Sequence, residues 1–466
     1  MTPSSTTNCN FIAYMNSQHR VLKFTLISIG IYLLLSILDL SFNFPVPAFR
    51  KVNLIADLVK SPQIKDSIVV VKEIPVSAKK DESPSTRVFE QFKAPKTIIG
   101  FSADTNQPAL QKFLPKLMAL KSGTKQKLRI AYFGDSMIEG DLLTETLRAL
   151  LQKEFGGSGV GFVPITSQVS SFRQTVSHTY SKGWEDENFR NTTKGNVYFS
   201  GHLFRGQDDW VSMTDQTIRD SAAVLEKSLL CGRVTEPINI MVNGNAQTIS
   251  PKELFNRIPL RKDGSRNLRL AVTDDRLPVY GISFETDYGI TVDNFSFRGI
   301  TGIELNKLDM GFLQSIGEQN PYDLMIFQYG VNVLFRPNDK NFSWYGSKFQ
   351  AMLVKMKKAF PDTEMMLVSA ADRAFRYDGT YSSAVGIDSL IKMQATIAFE
   401  TGMAFYNQYE TMGGKNSIVR WAAEQPSLAN KDYVHPNGRG AAKLGTFLFE
   451  AFMKDYYKYQ KLHPKS

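Results

Sequence analysis

The sequence predicts an α/β protein: a doubly wound parallel sheet, interrupted by a β-sandwich and preceded by a membrane-spanning helix. Three observations predict it. Short apolar runs alternate with amphipathic helical segments in two blocks, 101–166 and 289–466. Between the blocks, residues 167–288 read as short alternating strands divided by Gly, Asn and Asp, such as VYFSGHLF and INIMVNGNAQTI. Ahead of both, residues 21–42 hold an apolar run close to the ~20 residues that cross a bilayer.

Residues 1–20 form the expected cytoplasmic end, because Arg20 and Lys23 mark the cationic side of the run FTLISIGIYLLLSIL. No small-x-small cleavage site follows it, which favours an uncleaved signal anchor over a removed leader. Residues 43–100 are rich in Pro, Lys, Ser and Val and poor in periodicity, the composition of a flexible spacer. Gln107 to Leu120 reads as a leading helix. LRIAYFGDS, from Leu128, reads as a buried strand ending in a sharp turn. Leu143, Leu147, Leu150, Leu151 and Phe155 then recur at helical spacing. After the insertion, ITVDNFSF, DLMIFQYG, EMMLVSAAD and MAFYNQY read as further strands. Helices are expected near Ser347–Ala359, Val385–Thr401 and Gly440–Tyr457. In such a sheet, ligands bind beyond the carboxyl ends of the strands.

Composition excludes several functions. The chain has 466 residues, enough for two or three folded units, and is 42% hydrophobic and 21% charged. Its net charge of +10 favours anionic surfaces, but no recognition helix or aromatic-basic motif points to nucleic acid. Cys9 and Cys231 fall on opposite sides of the apolar run, so no structural disulfide is expected. The five histidines show no metal-ligand spacing, and neither a metal nor a cofactor is expected. The run FGGSGVGFVP lacks the Lys-Ser/Thr of a phosphate loop, and no Gly-x-Ser-x-Gly elbow occurs.

Four motif pieces carry chemistry: Gly134-Asp135-Ser136, Gly302, Gly330-Val331-Asn332 and Asp432-Tyr433-Val434-His435. A serine hydroxyl needs a base to take its proton, and the base needs a carboxylate to set its tautomer. Ser136 is the candidate nucleophile, His435 the base and Asp432 the orienting acid. Asp135 sits too close to the nucleophile for that role and is expected to hold the turn. Acyl transfer also needs donors aimed at the developing oxyanion. The backbone N–H of Ser136, that of Gly302 (with Gly299 as the alternative) and the Asn332 amide are the candidates.

These pieces, in this order, resemble the SGNH/GDSL hydrolase superfamily. The resemblance covers roughly Lys127–Thr166 and Tyr288–His463. The string FGDSMIEGDLLTETLRALLQKEFGGSGVGFVP is similar, more narrowly, to periplasmic peptidoglycan O-acetylesterases, which carry a carbohydrate-binding-module-like sandwich at the matching point. The resemblance implies a flavodoxin-like sheet, the catalytic Ser136, Asp432 and His435, and the oxyanion partners Gly302 and Asn332. Thr301 departs from the family, which more often has Asn before that glycine. The implied function is a serine esterase removing O-acetyl groups from a cell-envelope glycan. An O-acetyltransferase with the same triad and a non-catalytic glycan-binding protein are the alternatives. Trp184, Trp210 and Tyr180 are candidates to stack on sugar rings, or else form part of the sandwich core. The expected partners are an O-acetylated glycan and the lipid bilayer, with the catalytic part in the periplasm and the anchor in the inner membrane.

The anchor has a direct test. Full-length protein should fractionate with inner membrane, and its catalytic part should become protease-sensitive only when the periplasm is opened. A soluble mature chain beginning after Asn43 rules the anchor out.

Overall fold

The computed structural model describes residues 86–464 apart from 193–195, 219 and 221, together with positions 23, 26–28 and 30. The expected cytoplasmic segment 1–20, most of the anchor 21–42 and most of the spacer 43–100 lie outside the described residues. Among the described residues no helix is long and apolar enough to cross a membrane.

The unit formed by Glu82–Ser466 is built on a six-stranded sheet. Five strands are parallel, in the spatial order Gly289–Ser296, Lys127–Gly134, Leu324–Gln328, Glu364–Val368 and Ala404–Tyr406. Numbered along the chain this is 2-1-3-4-5, the flavodoxin-like order. These strands are near-continuous apolar runs because helices cover both faces. Alternate residues part accordingly. Ala131, Phe133, Met325 and Phe327 enter one core with the helices Met310–Gln319, Ser343–Ala359 and Ile387–Thr401. Ile130, Tyr132, Leu324 and Ile326 enter the other, with Leu142–Phe155 and Gly438–Leu462.

Three expectations change. The spacer does not reach residue 100: Phe92 enters the core, and Ile98–Ile99 pairs antiparallel with Phe405 and Tyr406 at the sheet edge. The leading helix begins only at Leu114, because the chain before it is held by Asp455, which accepts from Ala109 and Leu110 N–H. The last helix begins at Gly438, where Asn437 caps it by accepting from Arg439 and Gly440 N–H.

The insertion forms two antiparallel sheets. One runs Asn245–Ile249, Ile238–Val242, Asn267–Val272, Asp209–Asp215, Val176–Tyr180. The other runs Asn256–Asp263, Leu225–Cys231, Val279–Glu285, His202–Arg205, Glu185–Asn188. Residues of both sheets, among them Val211, Ile240, Leu268, Phe204, Leu229 and Ile282, share one apolar cluster. Gly161–Pro164 pairs with Val279–Glu285, so the inserted sheets begin before the expected boundary at 167.

The insertion is joined to the parallel sheet through a core. Phe162, Tyr198 and Phe199 pack on Phe133 and Phe295, with ring centroids 5.0–5.4 Å apart. Buried Glu285 accepts from Arg129 Nε at 3.1 Å and Nη2 at 2.9 Å and also pairs with Arg257. Asp293 accepts from Phe162 N–H at 2.8 Å.

The ordered edge segment predicts a stability difference. Burying Phe92, Ile98 and Ile99 contributes about 1.5–3 kcal/mol each. A soluble chain beginning at Phe101 should melt measurably below one beginning at Thr86. Identical melting would return residues 86–100 to the spacer.

Candidate active site

The strand Lys127–Gly134 delivers Ser136 to the carboxyl end of the sheet. Gly134 admits no side chain there: a Cβ would lie 2.8 Å from Ile138 Cγ1. Asp135 closes the turn by accepting from Met137 N–H at 2.9 Å. The helix Leu142–Phe155 does not start at once. A short 3₁₀ turn, Glu139–Asp141, intervenes, with Gly140 and Asp141 both in left-handed backbone at φ 74° and 70°.

A non-glycine residue in that conformation is held by its partners. Asp141 is fully buried. Its two oxygens accept from Arg148 Nη1 and Nη2, each at 2.8 Å. Arg173 and Thr175, from the insertion, donate to the same carboxylate at 3.3 and 2.8 Å. Burial works to raise its pKa, but the two guanidiniums and the hydrogen bonds hold it well below the usual carboxylate range.

His435 comes from the loop before the last helix. Its Nε2 lies 2.8 Å from Ser136 Oγ and its Nδ1 2.7 Å from Asp432 Oδ2. A carboxylate only accepts, so Nδ1 carries the proton and Nε2 accepts from the serine hydroxyl. Asp432 Oδ1 also accepts from Val434 and His435 N–H, at 3.0 and 3.1 Å. Burial opposes its ionisation, yet the bonds from the His435 ring and these two N–H groups keep its pKa below the ordinary value. The structure therefore brings Ser136, His435 and Asp432 into one hydrogen-bonded chain, though Ser136 and His435 lie 299 positions apart in the sequence.

The oxyanion candidates stand differently. The Asn332 amide nitrogen donates to Asp135 Oδ2 at 3.0 Å and to Ile300 O at 2.9 Å. Both of its hydrogens are thus engaged. Its partner Asp135 is buried, and burial pushes that carboxyl up to about 7 despite the bonds from Met137 and Asn332. Gly302 has φ 92° and is buried; a Cβ there would lie 2.6 Å from the Tyr329 ring and 2.9 Å from Phe349. Gly299 is also left-handed, at φ 82°, but exposed. Neither Asn332 nor Gly302 lines the cleft that holds Ser136, and Asn332 is tied to Ser136 through its neighbour Asp135.

That cleft, of about 410 Å³, exposes residues the motifs did not single out. Arg298 and Glu139 form an ion pair of 2.5 Å at its wall. Phe172, from the insertion, stands 77% exposed at its lip. Arg298 lies inside FRGITG and Glu139 three residues past the serine, so proximity to the motifs was their only signal. Phe172, in SSFRQ, had none. Trp184 packs against the insertion core and its Nε1 donates to Trp210 O at 3.1 Å. The Arg269 guanidinium covers the Trp210 ring at 3.9 Å, and Tyr180 Oη donates to Ser167 O at 2.8 Å.

No protein-family model matches the chain, and no curated protein sequence matches it. Among solved structures, a peptidoglycan O-acetylesterase is 22% identical and superposes with a TM-score of 0.64, over 74% of this chain and 96% of that one. A family two carbohydrate esterase from Cellvibrio japonicus is 8% identical over 61% of this chain and 99% of its own, with a TM-score of 0.27. An acetyl xylan esterase is 12% identical over 35% and 81%, also at 0.27. Likenesses that slight support no conclusion.

Asp135 makes the site's stability depend on pH. Its folded pKa of about 7 lies above the ordinary value near 4, so between them the folded chain keeps a proton that the unfolded chain has lost. Its contribution to stability therefore falls as pH rises through that window. The melting temperature of wild type relative to Asp135→Asn should decline from pH 5 to pH 8. A constant difference would mean that Asp135 titrates normally. By its superposition on the peptidoglycan O-acetylesterase, the chain shares the fold of that protein.

Proposed function

We propose that this protein is a serine esterase that removes O-acetyl groups from a cell-envelope glycan, with peptidoglycan the foremost candidate. The observation that carries the reading is the Ser136–His435–Asp432 relay, with both contacts at hydrogen-bond distance. The fold shared with a peptidoglycan O-acetylesterase supports it. His435 takes the Ser136 proton as Oγ attacks the acetyl carbonyl, and the sugar oxygen leaves with that proton. Water then attacks the acetyl-serine, activated by the same imidazole. The His435 and Asp432 side chains are 31% and 46% exposed, an open setting that admits water and favours hydrolysis over transfer to a sugar.

The oxyanion donors in this reading are Ser136 N–H, Gly302 N–H and the Asn332 amide. One Asn332 hydrogen has to leave a resting partner to reach the oxyanion. An uncharged Asp135 is a weaker acceptor than a carboxylate and gives up that hydrogen at less cost. A location at the inner membrane with the catalytic part in the periplasm, expected from residues 21–42, belongs to the same proposal.

Acetate release from O-acetylated peptidoglycan by the purified soluble part is the direct assay. Ser136→Ala and His435→Ala should each lower turnover roughly 10³- to 10⁶-fold, and the double variant should be little worse. Additive losses, or a fully active Ser136→Ala, would exclude the relay. Asn332→Ala should lower kcat about 10²- to 10³-fold with little change in KM. An alanine variant with full turnover and reduced stability would make Asn332 a turn residue only.

A further inference from the structure

A second cavity opens beside the catalytic cleft, and the two share Glu139, Gly140, Val169 and Arg298 in their walls. It lies between the carboxyl end of Gly289–Ser296 and the inserted sheets, and Ser200, His202, Asp186 and Arg190 come to it from the insertion. Its volume, about 140 Å³, is close to the roughly 150 Å³ of a cavity that holds one benzene ring. It has room for one six-membered ring.

The lining is polar and pre-set. His202 Nδ1 is 2.7 Å from Asp186 Oδ1, which places the proton on Nδ1 and leaves Nε2 to accept. The imidazole is fixed between Phe204, parallel at 5.4 Å, and Phe297 at 4.9 Å. Ser200 is 3% exposed and its Oγ has no hydrogen-bond partner. A buried hydroxyl in that state is destabilising, and a bound hydroxyl would supply the missing partner. Arg190 is exposed at the rim, held by one bond from Nη2 to Arg298 O at 2.8 Å.

The charges in the lining indicate what enters. Glu139 is paired with Arg298, Asp141 with Arg148 and Arg173, and Asp186 with His202. Donors and acceptors are abundant, while every acid already has a partner and Arg190 is left at the rim. Inside the cavity an anionic group would meet guanidiniums already held by the protein's own carboxylates, and only Arg190, at the rim, would face it without one. An uncharged ring with hydroxyls on its edge needs no such pairing.

We propose that this cavity is the subsite for the sugar next to the acetylated one, and that it takes a neutral pyranose through His202, Ser200 and Arg190. The proposal rests on the glycan-esterase reading for its biological sense. Its binding test is independent of catalysis.

A tetramer of N-acetylglucosamine, unacetylated on oxygen, is titrated into the Ser136→Ala protein, alone and combined with His202→Ala or Arg190→Ala. Each added change should weaken binding about tenfold, the worth of roughly one hydrogen bond. An acidic uronate oligomer should bind no better than the neutral one. In the active protein, the same two changes should raise KM for an O-acetylated oligosaccharide and leave p-nitrophenyl acetate hydrolysis unchanged. Undiminished tetramer binding in both variants, or tighter binding of the uronate, overturns the subsite. So do equal losses on both esters with a lower melting temperature in His202→Ala and no effect of Arg190→Ala, because the imidazole would then be structural. Small-ester hydrolysis that survives Ser136→Ala overturns the esterase reading and leaves the binding result standing.

Discussion

The buried Asp141 carboxylate sets the geometry on which the rest of the site depends. It receives Arg148 from the helix after Ser136, and Arg173 and Thr175 from the insertion. Arg148 in turn donates from Nε to Val292 O in the neighbouring strand, at 2.8 Å. Thr144 donates to the same acid and accepts from Asn294, which also donates to Ile138 O in the turn. One ion thus ties turn, helix, strand and insertion together. Such a cluster stabilises only while it is complete, since removing one partner leaves an uncompensated buried charge at about 3–5 kcal/mol. Its worth here is positional: it holds an aspartate in left-handed backbone so that the preceding five residues can carry Ser136 outward.

The second acid of the turn behaves in the opposite sense. Asp141 is ionised because cations surround it. Asp135, six residues earlier, accepts hydrogen bonds from an amide and a backbone N–H, and burial dominates. Two aspartates in one tight segment therefore differ in charge through their neighbours alone. The charged one is structural. The near-neutral one touches Asn332 and has consequences for how freely that amide can turn.

Much of this was legible in the residues. The parallel strands are unbroken apolar runs, IAYF, LMIF and MMLV, and their parallel pairing follows from strand–helix alternation. The serine, histidine and aspartate were legible because their chemistry is bound to short local patterns. Contacts between distant residues were not. Nothing in GDLLTE signals that Asp141 meets Arg173, and nothing in SSFRQ signals that Phe172 overlooks the serine. Residues 86–99 read as spacer because an edge strand of two residues and a short helical turn are below the length at which periodicity is visible. The Asn332 amide could be named from its motif, but its engagement by Ile300 O depends on a loop 32 residues away.

The aromatic seam between insertion and sheet has a consequence for modularity. Phe162, Tyr198 and Phe199 belong to the same cluster as Phe133 and Phe327 of the central strands. A seam of that kind is a shared interior, not a hinge, and interiors are close-packed. The inserted sheets cannot be cut out or exchanged like a bead on a string without baring a row of rings on the parallel-sheet half. Nor can they swing shut over a ligand. Whatever discrimination the cleft exercises is cast when the chain folds, so a change of diet in a descendant of this protein has to come through side chains on the cleft walls, one substitution at a time, rather than by swapping a domain.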